Sequence, residues 1–131
     1  MAKEIIPFLM FPGGAEAAMN FYLSLFPGAR IKSLVHYGAD GPGVAGSVKQ
    51  ATLVLLGRRF EFFDSTVRHA FTFTPAISFA VVCEDIAEID RLFAKLSEGG
   101  EILMELDTYP FARRFGWLND KFGVSWQLRL T

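Results

Sequence analysis

Residues Ile77 to Gly99 read ISFAVVCEDIAEIDRLFAKLSEG, and this stretch decides the fold. In its opening run, Ile77, Phe79 and Val81 alternate with Ser78 and Ala80, the period-two pattern of a strand. Ile89, Leu92, Phe93 and Leu96 then fall at i, i+3, i+4 and i+7, which draws one apolar stripe along a helix. Asp85 offers an N-cap oxygen, and Glu88, three residues on, completes a capping box. Gly99 stands where a helix ends in a left-handed residue.

The pattern recurs 71 positions upstream: Ile6, Phe8, Leu25, Gly28 and Ile31 meet the identical residues Ile77, Phe79, Leu96, Gly99 and Ile102. An apolar run, Ile5 to Phe11, precedes a helical stripe of Ala18, Phe21, Tyr22, Leu25 and Phe26. Three strand-like runs follow each helix. In the first half they are Ile31 to Tyr37, Val48 to Leu56 and Arg59 to Asp64, with Gly57-Arg58 as a tight hairpin. In the second half they are Glu101 to Asp107, Phe115 to Asn119 and Val124 to Leu130, with a turn over Asp120 to Gly123. The chain therefore reads as α+β, two βαβββ modules over residues 1–66 and 67–131. The glycine-rich segment from Gly38 to Gly46 reads as a mobile loop, either a lid or a connector.

Strand parity assigns the faces. Ile77, Phe79 and Val81, with Val124, Trp126, Leu128 and Leu130, form the set expected against a helix. Phe8, Phe21, Phe60, Phe62 and Phe93 join the same helix–sheet cores. The opposite faces of two such sheets, facing each other, would enclose a mostly apolar pocket. Its expected lining is Pro7, Leu9, Glu61, Phe63, Ser78, Ala80 and Gln127.

Of 131 residues, 51% are hydrophobic and 14 are phenylalanine, yet no run is long enough to span a bilayer. The charge-free stretch from Ala70 to Cys83 is interrupted by Pro75, and Glu4 interrupts the N-terminus, which does not read as a signal peptide. Thirteen basic and 14 acidic residues, spread without a one-signed block, give a net charge of −1, so neither a nucleic-acid nor a membrane partner is expected. The single cysteine, Cys83, excludes an internal disulfide and fits a reducing cytoplasm.

Several motifs carry a resemblance. Pro7-Phe8-Leu9, Ala15-Glu16, Phe21-Tyr22 and Phe26-Pro27 open the chain. Phe73-Thr74-Pro75-Ala76-Ile77-Ser78-Phe79 and the run from Gly116 to Gln127, GWLNDKFGVSWQ, follow. With the tandem βαβββ order, these resemble a PhnB-like protein of the vicinal oxygen chelate superfamily, which includes glyoxalase I, bleomycin-resistance proteins and extradiol dioxygenases. The subfamily often carries the description 3-demethylubiquinone 3-methyltransferase. The resemblance implies the glyoxalase/bleomycin resistance fold, two facing mixed sheets with helices outside. A methyltransferase of the usual kind needs an alternating βαβ sheet, and no such alternation follows Pro12-Gly13-Gly14.

The resemblance also implies a divalent metal held from the first and last strands of each half. The matching positions here are Pro7, Ser78, Phe63 (or Glu61 beside it) and Gln127. Proline and phenylalanine cannot ligate and serine ligates poorly, so no metal or other cofactor is expected, a degenerate site being the alternative. His36 and His69 lie off these positions and read as ordinary surface or loop residues. Glu61, flanked by Phe60, Phe62 and Phe63, is the candidate catalytic carboxylate, since burial there would raise its pKa; pairing with Arg58 or Arg59 is the plainer alternative. Arg113 could meet an anionic group at the pocket mouth, and Trp117 could stack on a planar ligand. Cys83 reads as a buried small hydrophobe.

The expected function is binding of a small, partly apolar molecule without a complete metal site. An enzyme of the superfamily (a lyase, isomerase or dioxygenase) and a structural role with a filled pocket stay open. A homodimer is expected because small modules leave strand edges uncovered.

Overall fold

The structure is a computed structural model describing residues 1–131. The chain forms two compact units, Met1–Ala70 and Phe71–Thr131. The first contains β1 (Phe8–Phe11), α1 (Ala15–Leu25), β2 (Arg30–His36), β3 (Val48–Leu55) and β4 (Arg58–Asp64). The second repeats the order as β5 (Phe79–Val82), α2 (Ile86–Ser97), β6 (Glu101–Tyr109), β7 (Ala112–Asn119) and β8 (Ser125–Leu130). Each sheet is mixed, in the orders β1-β4-β3-β2 and β5-β8-β7-β6, with the first and last strand of each unit parallel. The tandem βαβββ reading holds element for element.

Local chemistry sets the ends of the elements. Asp85 caps α2, its Oδ1 accepting the Glu88 amide at 2.8 Å, while Glu88 Oε1 accepts the Glu84 amide at 2.9 Å. Gly28 and Gly99 both take left-handed backbone, at φ 75° and 72°, where each helix ends. β1 is shorter than expected and starts at Phe8, because Pro7 has no amide to donate; its carbonyl accepts the Glu61 N–H at 2.9 Å instead. The β3–β4 hairpin turns over Leu56-Gly57 rather than Gly57-Arg58. Both residues have positive φ (50° and 78°), which a two-residue turn of this hand requires.

The glycine-rich segment is wound around Tyr37. Ser47 O accepts the Tyr37 amide at 2.8 Å and Tyr37 O accepts the Gly46 amide at 3.0 Å. A Cβ on Gly43 would lie 2.6 Å from the Tyr37 ring, so glycine is what lets the segment close over it.

Each helix covers one face of its sheet. In the first unit Tyr22 meets Phe62 edge-on at 5.9 Å, and Phe11 stacks on Phe62 at 5.3 Å. In the second, Ile89, Leu92, Phe93 and Leu96 are buried with Leu118, Trp126, Leu128 and Leu130. Phe93 presses against Gly116, where an added Cβ would sit 2.4 Å from the ring. Gly116→Ala is therefore expected to cost about 1–3 kcal/mol through overpacking, read as a lowered urea midpoint with an unchanged slope.

Candidate functional site

The face of each sheet turned away from its helix carries the residues with free chemistry. In the first unit one row crosses all four strands: Phe8 is in register with Glu61, Glu61 with Thr52, and Thr52 with Ser33. Met10 and Phe63 form the next pair. The Phe8 and Phe63 rings lie 5.2 Å apart. Gln50 ties the polar end together, accepting from Ser33 Oγ at 3.2 Å and donating to Thr52 Oγ1 at 3.0 Å. Glu61 is half-buried in this row, and none of the ion pairs of the chain includes it. Of the two arginines offered as alternative partners, Arg58 and Arg59, neither forms an ion pair with Glu61, and Arg59 binds Glu4.

Two expected lining residues belong elsewhere. Leu9 is 5% exposed and in register with Phe62, so it faces α1. Pro7 precedes β1 and, by parity, falls on the Leu9 side. Phe8, assigned by sequence to the core, is 62% exposed on the helix-free face, and Met10 shares that face. The cause is the turn into each helix. α1 is entered through two left-handed glycines, Gly13 and Gly14 (φ 121° and 83°), whereas α2 is entered through the extended Asp85. The same 71-residue spacing thus joins strands rotated by one residue of parity, with Leu9 and Phe11 inward in one unit and Val81 inward in the other.

In the second unit the helix-free face runs from an aromatic cluster to a hydroxyl row. Tyr109 stacks on Phe111 at 5.5 Å, and Phe111 meets Phe115 edge-on at 4.9 Å, with Arg113 exposed beside them. Trp117 is in register with Gln127 and Met104, and Gln127 with Ala80. The Trp117 indole N–H donates to Ser125 Oγ at 2.9 Å, and Ser125 Oγ lies 2.6 Å from Ser78 Oγ. Asn119, in register with Ser125, has a buried Oδ1 with no hydrogen-bond partner. Ser78, Ala80, Gln127, Trp117 and, by parity, Arg113 thus share one face, and Glu61 and Phe63 share the corresponding face of the other unit. Thr52 and Gln50 escaped the sequence reading, whereas the parity of the last strand sets Ser125 beside Gln127 on the helix-free face of the second unit. The parity of Phe62 could have placed Thr52, once the β3–β4 register was known.

The sequence model of the family described as 3-demethylubiquinone-9 3-methyltransferase matches residues 3–129. The chain belongs to that family. A Bacillus cereus protein described as a 3-demethylubiquinone-9 3-methyltransferase, PhnB protein, is 55% identical, with a TM-score of 0.96 over 98% of this chain and 100% of that one. Protein PA1353 of Pseudomonas aeruginosa is 27% identical, with a TM-score of 0.85 over 98% of each chain. A glyoxylase/bleomycin resistance protein/dioxygenase domain from Frankia sp. EAN1pec, at 11% identity and TM-score 0.67 over 99% of this chain and 93% of that one, shares the fold. No curated protein matches the chain. The PhnB resemblance and the glyoxalase/bleomycin resistance fold are therefore established.

The divalent metal implied for this PhnB-like chain does not fit the residues at the implied positions. Pro7 and Phe63 bring no donor and Ser78 Oγ is engaged with Ser125; Glu61 and Gln127 remain, one in each unit. No three His, Cys, Asp or Glu side chains are grouped to hold an ion. At the glycine turn, where a methyl-donor cofactor would be sought, Asp64 Oδ1 accepts the Ala15 amide at 3.0 Å and sets a carboxylate at the start of α1. His36 pairs with Glu16 at 2.6 Å and His69 lies against Ser65, both exposed.

Cys83 is buried, and burial pushes its thiol from 9.0 up to about 11, with the Glu88 and Asp85 carboxylates adding to the rise against Arg91. A two-unit rise cuts the thiolate fraction about 100-fold at pH 8. Cys83 is expected to react with a disulfide reagent at pH 8 at least roughly tenfold slower in the native protein than in urea, because the smaller thiolate fraction outweighs the greater nucleophilicity of the more basic thiolate. Equal rates would contradict this.

Proposed function

We propose that this PhnB-like protein binds a small, partly apolar molecule on the helix-free faces of its sheets and needs no metal to do so. The observation that carries this is the composition of those faces. In the first unit Phe8, Met10 and Phe63 share the face that holds the hydrogen-bonded Ser33, Gln50 and Thr52, and in the second Trp117 shares the face that holds Ser125 and Ser78. Glu61, half-buried with no ion pair in the chain, supplies a carboxylate to the face of the first unit and fits a donor or cationic group on the ligand. The same carboxylate is the candidate general base should the bound molecule be turned over. No helix is long and apolar enough to cross a membrane. The buried free thiol supports a reducing compartment such as the cytoplasm. The outer strands β1, β2, β5 and β6 end their sheets with one paired side each, which supports a homodimer, testable by light scattering at micromolar concentration.

The test is a thermal-shift screen of small metabolites. A ligand at 100 times its Kd adds about 2.7 kcal/mol of stability, which raises the melting midpoint by several degrees. The shift is expected to persist after dialysis against a chelator and to shrink in Glu61→Ala. A broad screen with no stabiliser, or a shift abolished by chelation, would contradict the reading.

A further inference from the structure

The hydroxyl row of the second unit has one proton more than it uses. Trp117 Nε1 carries one hydrogen, and Ser125 and Ser78 carry one each. Two bonds consume two of these three: the indole donates to Ser125 Oγ, and the two serine oxygens share one hydrogen across 2.6 Å. Ser125 is 3% exposed, so leaving its own proton without an acceptor would carry the full cost of a buried, unmade bond. No other acceptor is bonded to Ser125 Oγ, the Oδ1 of Asn119 included, so Ser125 is taken as the donor to Ser78. Ser78, which is half-exposed, is left with its proton directed out of the row. The indole, tethered at its nitrogen, is held on the same face beside that donor.

We propose that this row selects a flat, unsaturated ring carrying a neutral oxygen acceptor, such as an aryl ketone, ester or amide. The acceptor takes the Ser78 proton and the ring lies against the Trp117 indole. The inference rests on the binding reading above and adds the ligand class to it. A tethered donor and a tethered ring cost the ligand no side-chain ordering, which favours a small rigid molecule over a flexible one. Face-to-face or edge contact with the indole favours an aromatic ring over a saturated one.

Three probes test it on the intact chain: acetophenone, ethylbenzene, which keeps the ring without the oxygen, and cyclohexyl methyl ketone, which keeps the oxygen without the flat ring. Binding is followed at the Trp117 indole N–H resonance, identified by its loss in Trp117→Phe. Acetophenone is expected to bind about threefold to tenfold tighter than ethylbenzene, the net worth of one hydrogen bond. It should also outbind cyclohexyl methyl ketone. Ser78→Ala should erase the preference over ethylbenzene, and Ser78→Thr, which keeps the hydroxyl, should restore it. Probes that bind alike, or a preference unmoved by Ser78→Ala, would overturn this inference and leave the binding reading standing. If no probe shifts the resonance, this inference falls, and the thermal-shift screen above decides the binding reading separately.

Discussion

Asp120→Ala is expected to lower stability by about 4 kcal/mol, the largest effect of any single polar substitution in the second unit. Asp120 is 3% exposed and sits in the turn between β7 and β8. Its Oδ1 accepts the Phe122 and Val124 amides at 2.8 and 3.1 Å, and its Oδ2 accepts the Trp126 indole N–H at 2.9 Å. Alanine would strand donors beneath β8, and each buried donor left unpaired costs about 1–3 kcal/mol. Relaxation of the turn and entry of water offset part of the sum. Urea unfolding followed by tryptophan fluorescence measures the effect. Asp120→Asn, which keeps a carbonyl oxygen but turns an N–H₂ toward one of these donors, should fall between alanine and the parent. A loss below about 1 kcal/mol for alanine would mean that the turn holds itself by backbone bonds alone.

Asp64→Ala is expected to cost about 3 kcal/mol in the first unit. α1 begins at a left-handed Gly14, which has no side chain to cap the helix. Asp64, 4% exposed at the end of β4, does that work from 49 residues away by accepting the Ala15 amide. Its second oxygen accepts the Val48 amide at 2.9 Å where β3 begins. One carboxylate thus joins the helix, two strands and the close of the glycine-rich segment. Removing it loses a cap, worth about 1 kcal/mol, and leaves two buried amides unpaired. Amide exchange should accelerate first at Ala15 and Val48. Protection unchanged at both would contradict the role.

The contrast between Asp85 and Asp64 shows what the sequence makes legible. Asp85 caps the residue three places on, so spacing alone reveals it. Asp64 serves amides 49 and 16 positions upstream, and no local pattern marks such a group. The strand faces divide similarly. Trp126, Leu128 and Leu130 alternate within one strand, and their burial follows from parity. Leu9 and Phe8 lie on the faces opposite to those that the repeat predicts, since the strand–helix turn of the first unit passes through left-handed glycines and that of the second does not. The Ser78, Ser125 and Trp117 row was half legible: Ser78 and Trp117 are visible as candidates, but only the β5–β8 and β7–β8 registers bring them to Ser125. Glu61 lies on the face opposite Phe62, as parity within β4 predicts, and Arg59, one of the two arginines near it in sequence, is bound to Glu4.

The central claim is that the helix-free faces bind a small molecule. Amide and indole chemical shifts, recorded while a mixture of small aromatic carbonyl compounds is titrated into the protein, test it most directly. The predicted result is a set of shifts confined to the helix-free faces, around Phe8, Glu61 and Phe63 in the first unit or Ser78, Trp117 and Gln127 in the second, with α1 and α2 unmoved. Shifts scattered over the helices, or none at millimolar probe, would contradict the account.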